Sequence, residues 1–214
     1  MSESARFNMI ETQIRTSAVT DPRVLGAMGA VPRERFVPTA RKALAYADVP
    51  VEVAPGRYLL DPRSFAKLLQ LARITAEDRI LDVGCATGYS SAVLARMGRE
   101  VVALEQDADL VRIASELLAG TPGRVEVAQG ALIEGFKAAA PYDVIFINGA
   151  IEQIPDTLLG QLGEGGRLVT AMREAGHARA FLFLKEHGSV GRRPDFDAEV
   201  PLLAGFKKAI GFVF

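Results

Sequence analysis

Arg79-Ile80-Leu81-Asp82-Val83-Gly84-Cys85-Ala86-Thr87-Gly88-Tyr89-Ser90-Ser91 is the stretch that sets the architecture. Ile80 to Val83 is a short apolar run with charge in front and glycine behind, the pattern of a strand buried in a parallel sheet. The chain then turns through Gly84 and Gly88 and enters a helical pattern from Tyr89 to Met97. Strand, glycine turn and helix in succession make a nucleotide-type site. Glycine lets the backbone approach a ligand closely, and a helix start offers N–H groups without internal partners.

The spacing discriminates between nucleotides. A dinucleotide site needs G-x-G-x-x-G and carries a pyrophosphate on the helix end. Here the series is Gly84, Ala86, Gly88, and Asp82 stands at the strand's carboxyl end. A carboxylate aimed at a pyrophosphate is repelled, so a nicotinamide dehydrogenase is disfavoured. A cationic, hydroxyl-rich ligand suits it better, and S-adenosylmethionine carries an ammonium, a sulfonium and a ribose diol. Val101 to Leu104 reads as the next strand, and Glu105 ends it, 17 residues after Gly88. A carboxylate there can accept both ribose hydroxyls. The segment resembles the first motif of class I S-adenosylmethionine-dependent methyltransferases. Cys85 has no histidine near it in sequence and reads as a small loop residue rather than a nucleophile.

Bulk properties bound the remaining classes. With 214 residues the chain can hold one sizeable domain, or one domain with an appendage. Hydrophobic content of 49% describes an ordinary globular core, and a net charge of −1 gives no basic footprint for nucleic acid. No apolar run is long enough for a transmembrane helix, so no membrane partner is expected. Residues 1–15 lack an apolar signal core. A single cysteine forms no internal disulfide and fits a reducing compartment, so the expected location is cytoplasmic. His177 and His187 are unclustered and read as surface residues, and no metal site is expected.

Before the glycine turn the pattern is helical and loop-rich. Met9 to Ser17 carries a short apolar helical face, and Thr20-Asp21-Pro22 caps a helix that runs to about Ala30. Val31 to Pro38 reads as an exposed, charged turn, Thr39 to Ala45 as a short helix, and Tyr46 to Tyr58 as irregular. Asp61-Pro62 opens an amphipathic helix with Phe65, Leu68, Leu69 and Ala72 on one side. Residues 1–75 are therefore an N-terminal helical and loop appendage packed on a core of residues 76–214, since short helices bury too little surface alone.

From Arg79 strands and helices alternate: strands Ile80–Val83, Val101–Leu104, Arg124–Ala128, Asp143–Ile147 and Arg167–Ala171, with helices Tyr89–Met97, Ala108–Leu118, a short one near Leu132–Lys137, and one near Ile154–Gln161. Ala178–Lys185 and Val190–Phe196 read as an antiparallel hairpin, and Phe206 to Phe214 as packed edge structure. The fold class is α/β: a doubly wound, mostly parallel seven-stranded sheet of the Rossmann-like methyltransferase outline, with an antiparallel edge.

A narrower resemblance rests on other segments. They are Asp21 to Met28, Val31-Pro32-Arg33-Glu34-Arg35-Phe36-Val37-Pro38, Ala45 to Pro50, Ala139 to Ile145, Ile154-Pro155 and Leu158 to Val169. Together they resemble protein-L-isoaspartate O-methyltransferases from about Ile10 to about Thr170. The V-P-R-E-x-F-V-P string is the most distinctive, since the cofactor fold does not require it. The resemblance implies methyl transfer from S-adenosylmethionine to the free α-carboxyl of L-isoaspartyl residues in damaged proteins. The ester then closes to a succinimide that reopens partly to normal aspartate. Cofactor contacts are expected from Asp82, Gly84, Cys85, Ala86, Thr87, Gly88, Tyr89, Glu105, Gln106, Gly130, Ala131, Leu132 and Asn148, and substrate contacts from Arg57, Tyr58, Leu59 and Leu60.

Three departures bear on activity. The family pattern before the core is G-Q-T-I-S-Q-P, whose serine meets the reacting region, and this chain reads Gly56-Arg57-Tyr58-Leu59-Leu60-Asp61-Pro62. Leu60 replaces the serine and Asp61 the glutamine, so no catalytic residue is assigned; Asp61 and Asn148 are the candidates. Asp61 also suits a helix cap, and Arg57 or Arg63 is read either as a carboxylate binder or as a solvated surface arginine. Ala86 replaces the middle glycine, which is tolerable with negative φ. Gln129-Gly130-Ala131-Leu132 replaces G-D-G, which removes a side-chain acceptor for the adenine amino group. Asn148 is read either as orienting substrate or as capping a turn. The alternatives are a methyltransferase with another acceptor or a cofactor-binding module without transfer activity, and L60S discriminates them.

Overall fold

The structure is a computed structural model that describes residues 2–174 and 176–208. The N-terminal part starts with helix α1 (Ser2–Met9), which continues through a π-helical turn and a 3-10 turn to Ser17. Helix α2 (Pro22–Ala30) follows, started by Asp21, whose carboxylate accepts the Arg23 N–H at 2.8 Å. Tyr46 to Tyr58 is more ordered than expected: strands β1 (Val51–Ala54) and β2 (Arg57–Leu59) form a two-stranded antiparallel hairpin about the Pro55-Gly56 turn. Glycine supplies the positive φ of 69° there. Helix α3 (Pro62–Ala72) comes next.

Val31 to Pro38 is not the exposed turn that its charges suggest. Val31, Arg33, Phe36 and Val37 are all buried. The reason is tertiary: the Arg33 guanidinium donates to the Leu60 carbonyl and lies 4.8 Å from the centre of the Tyr89 ring.

The main sheet has seven strands: β3 (Arg79–Val83), β4 (Glu100–Glu105), β5 (Arg124–Gln129), β6 (Tyr142–Ile151), β7 (Leu162–Glu174), β8 (His177–Glu186) and β9 (Ser189–Asp197). Their order is β5-β4-β3-β6-β7-β8-β9. The first five are parallel, and β8 runs antiparallel to both its neighbours, so the expected hairpin closes that edge. The sheet crosses back at β3, and the gap beyond the carboxyl ends of β3, β4 and β6 is where such sheets take ligands.

Helices α4 (Tyr89–Leu94), α5 (Ala108–Leu118) and α6 (Asp156–Leu159) complete the connections. Two of them are shorter than the apolar pattern implies. The helix after the glycine turn stops at Leu94 and tightens into turns, Arg96 N–H to the Val93 carbonyl and Met97 N–H to the Leu94 carbonyl, which bring Gly98 so close to β3 that a Cβ there would lie 2.5 Å from Ile80 Cδ1. The helix expected near Ile154–Gln161 reduces to α6, because β7 already begins at Leu162. Strand β6 in turn runs past Ile147 to Ile151, which places Asn148 inside a strand.

Two apolar clusters flank the sheet. One contains Ile80, Val101, Ala103, Phe146 and Val169 together with α2, α3 and the buried face of α1 and its continuation. The other contains Leu81, Val83, Leu104, Ile145 and Ile147 with Leu158, Leu203 and Phe206. Alternate strand residues thus feed opposite faces, as the period of two requires. Arg23 of α2 donates to the carbonyls of Ile74 and Met97 and so joins the N-terminal helices to both ends of the β3–α4 unit. Phe206 is buried as expected, and residues 209–214 of the expected edge lie outside the described residues. Among the described residues no helix is long and apolar enough to cross a membrane.

Candidate active site

The glycine turn is built around two buried carboxylates. Gly84 has φ 77° and Gly88 φ 95°, a left-handed pair that lets the chain leave β3 and enter α4. A Cβ at Gly88 would meet Leu118 at 2.9 Å, so the turn also needs the space. Ala86 is left-handed too, with φ 51°. The condition that would make alanine tolerable, a negative φ, is therefore not met: the turn needs three left-handed residues, and alanine carries strain in the middle one. Its N–H donates to Glu105 Oε2 at 2.9 Å, an interaction that holds the conformation.

Asp82 points into the protein rather than out towards a ligand. Its Oδ2 accepts from the hydroxyls of Ser90 at 2.7 Å and Ser91 at 2.5 Å, and its Oδ1 from the Asn148 amide. Burial raises its pKa to about 6, against the pull of those three donors and with a small push from Glu105. Asn148 sits on β6 within reach of this carboxylate, so the turn-capping reading does not apply. Ser90 and Ser91 were not singled out from sequence. Two adjacent hydroxyls in the first turn of the helix, facing an acid at the strand end, were the available signal.

Glu105 is fully buried at the end of β4. Its Oε1 accepts from the N–H groups of Gln106 at 2.9 Å and Asp107 at 3.3 Å, and its Oε2 from Ala86 N–H and from the Arg57 guanidinium. Arg57 is thus no solvated surface residue, because the β1–β2 hairpin folds it inward to the acid. Arg63 is exposed, 3.8 Å from Asp48. Tyr58, Leu59 and Leu60 line a small cavity with Gly84, Ser90 and Asn148. Asp61 caps α3, its Oδ1 accepting the Ser64 N–H at 2.7 Å, which is the capping role that its Asp-Pro context suits.

The other expected contacts lie around the same strand ends. The Gly130 N–H donates to the Glu105 carbonyl at 3.0 Å, Leu132 is buried, and Ala131 and Gln106 are exposed beside them. Thr87 donates to the Phe36 carbonyl at 2.6 Å, and Tyr89 packs edge-on against Phe36 with ring centres 5.7 Å apart. The distinctive 31–38 string is therefore fastened to the glycine turn. Burial pushes the Cys85 thiol well above its ordinary pKa, and the two carboxylates add to this, so Cys85 is no thiolate nucleophile.

Comparisons with known proteins bear on this geometry. A family model described as Protein-L-isoaspartate(D-aspartate) O-methyltransferase matches residues 4–199. A protein-L-isoaspartate O-methyltransferase of Methylorubrum populi is 35% identical over 207 residues, 96% of this chain and 98% of its own. One of Synechococcus sp. is 39% identical over 173 residues, 80% of this chain and 71% of its own. Among solved structures, a protein-L-isoaspartate O-methyltransferase superposes with a TM-score of 0.80 at 24% identity, covering 96% of this chain and 66% of that one. A Plasmodium falciparum protein described as such an enzyme, in complex with S-adenosyl-L-homocysteine, gives a TM-score of 0.78 at 20% identity over 94% of this chain and 97% of its own. The two structures share the fold, and the matches in sequence go further: this chain belongs to the protein-L-isoaspartate(D-aspartate) O-methyltransferase family.

Proposed function

We propose that the chain transfers a methyl group from S-adenosylmethionine to the free α-carboxyl of L-isoaspartyl residues in proteins, as a cytoplasmic repair enzyme. The observation that carries this reading is the family match across residues 4–199, which spans both the 31–38 string and the glycine turn to which Thr87 fastens it.

The residues present fit the cofactor. A left-handed glycine turn lies beside a buried acid at the end of the adjacent strand, and the backbone at Gly130 adjoins it. Glu105 would hold a ribose hydroxyl, the Gly84–Gly88 turn would pass under the amino-acid portion, and residues 129–132 would border the adenine. Asp82 acts one step back, fixing Ser90, Ser91 and Asn148 around the turn. When bound, the cofactor supplies an electrophilic methyl on a sulfonium. The chain's own task is then positioning. An isoaspartyl carboxyl of pKa about 4 is already ionised at neutral pH and needs no general base. Leu59, Leu60, Phe65 and Tyr89 make an apolar wall that keeps water from the methyl.

A buried leucine at position 60 favours a second reading, a related methyltransferase acting on a different acceptor. Repair itself separates the two. A peptide with one isoaspartyl residue, incubated with enzyme and S-adenosylmethionine at mildly alkaline pH, should accumulate the normal aspartyl isomer on reversed-phase chromatography. An isomer ratio identical to the enzyme-free control contradicts the repair reading.

A further inference from the structure

Arg57 is paired with Glu105, the acid that would meet a cofactor's sugar, and it has donors to spare. Its Nη2 donates to Glu105 Oε2 and would stand 3.2 Å from a Cβ at Gly84, directly over the glycine turn. Its Nε and Nη1 are buried without a hydrogen-bond partner. A guanidinium left so under-used costs free energy, and since each of its paired edges includes Nη2, it can take a carboxylate in two parallel hydrogen bonds once Nη2 leaves Glu105.

Glu105 cannot accept a further ligand while this contact stands. A carboxylate has about four acceptor positions, and here they are filled by three backbone N–H groups and Arg57. The backbone donors belong to the turns that follow β3 and β4 and are fixed by them. Arg57 is the partner that can leave. It rides on β2, three residues long in a sheet separate from the main one, so its displacement breaks no strand of the seven. The neighbouring cavity, lined by Tyr58, Leu60 and Asn148, holds only about 10 Å³. That is room for about one water, so the hairpin that carries Arg57 also closes the space beside the turn against an acceptor.

A displaced Arg57 remains tethered beside Tyr58 to Leu60, at the border with the acceptor. The nearby buried acids Asp82 and Glu105 make this border hostile to an anion. Arg33, the other buried arginine, is held by the Leu60 carbonyl and the Tyr89 ring. We propose that Arg57 is a latch on Glu105 that the cofactor's ribose displaces, and that the released guanidinium then anchors the acceptor's carboxylate where the family uses a serine. This rests on the methyltransferase reading above. It makes binding ordered, with the carboxylate acceptor second.

Calorimetry on the wild-type chain and R57Q tests it, with S-adenosylhomocysteine and an isoaspartyl peptide as the probes. The wild type should bind the peptide only when S-adenosylhomocysteine is present. R57Q should bind S-adenosylhomocysteine more tightly, by about 10-fold, and the peptide more weakly by about 10-fold or more, the worth of one charge-assisted hydrogen bond. Peptide binding to wild type that is equally strong without the nucleoside overturns the proposal, and this arm needs no variant. So does an R57Q chain that matches wild type in both affinities, while nucleoside binding itself leaves the methyltransferase reading standing. Failure of S-adenosylhomocysteine to bind either protein overturns both.

Discussion

Ala86 holds a left-handed conformation, φ 51°, between two left-handed glycines. A side chain in that region costs about 1–2 kcal/mol, of which glycine's greater unfolded freedom returns about 0.5–1. A86G should therefore raise stability in urea titrations by about 0.5–1 kcal/mol, with the N–H bond to Glu105 kept. Asp82 supplies a second test. Its native carboxyl keeps a proton to about pH 6, whereas the unfolded one loses it near pH 3.9. Between those values the native state binds more protons than the unfolded state, so stability falls as pH rises. Against D82N, the wild type should lose roughly 2–3 kcal/mol between about pH 4 and pH 6 and no more above that. A difference that is flat across the window contradicts the assignment. At this scale the sequence showed which residues matter but not where they point. Asp82 and Glu105 were evident at the strand ends, whereas the inward turn of Asp82 depends on Ser90, Ser91 and Asn148, the last from a strand 66 residues away in sequence.

Local chemistry was legible at the level of elements wherever the partners are neighbours. Asp21-Pro22 and Asp61-Pro62 announce α2 and α3 because cap and capped N–H lie within three residues. The burial of residues 31–38 was not legible, since it depends on Leu60, Thr87 and Tyr89 arriving from elsewhere. The β1–β2 hairpin was hidden for a similar reason: four- and three-residue strands carry too little alternation to register. The Thr87 hydroxyl is the hydrogen bond that ties the 31–38 string to the glycine turn. T87V should cost about 1–3 kcal/mol by leaving the Phe36 carbonyl unpaired, read as a lower urea midpoint at unchanged slope. An unchanged midpoint would mean that the string is held by its apolar contacts alone.

Across the whole molecule, the parallel sheet and its order follow from alternating buried strands and helices, and this was the most legible feature. The N-terminal helices bury Met9, Ile14, Val24 and Met28 in the same apolar cluster as Ile80 and Phe146. The 214-residue chain should accordingly unfold in a single cooperative transition, and a fragment of residues 76–214 should show no such transition by circular dichroism. A fragment that melts cooperatively would establish a separable core. Methyl transfer is the more direct test of the central claim. Labelled S-adenosylmethionine is incubated with the protein and either an isoaspartyl peptide or its normal aspartyl counterpart. The account predicts a base-labile methyl ester on the isoaspartyl peptide alone; label on neither peptide, from a sample that binds the cofactor, would contradict it.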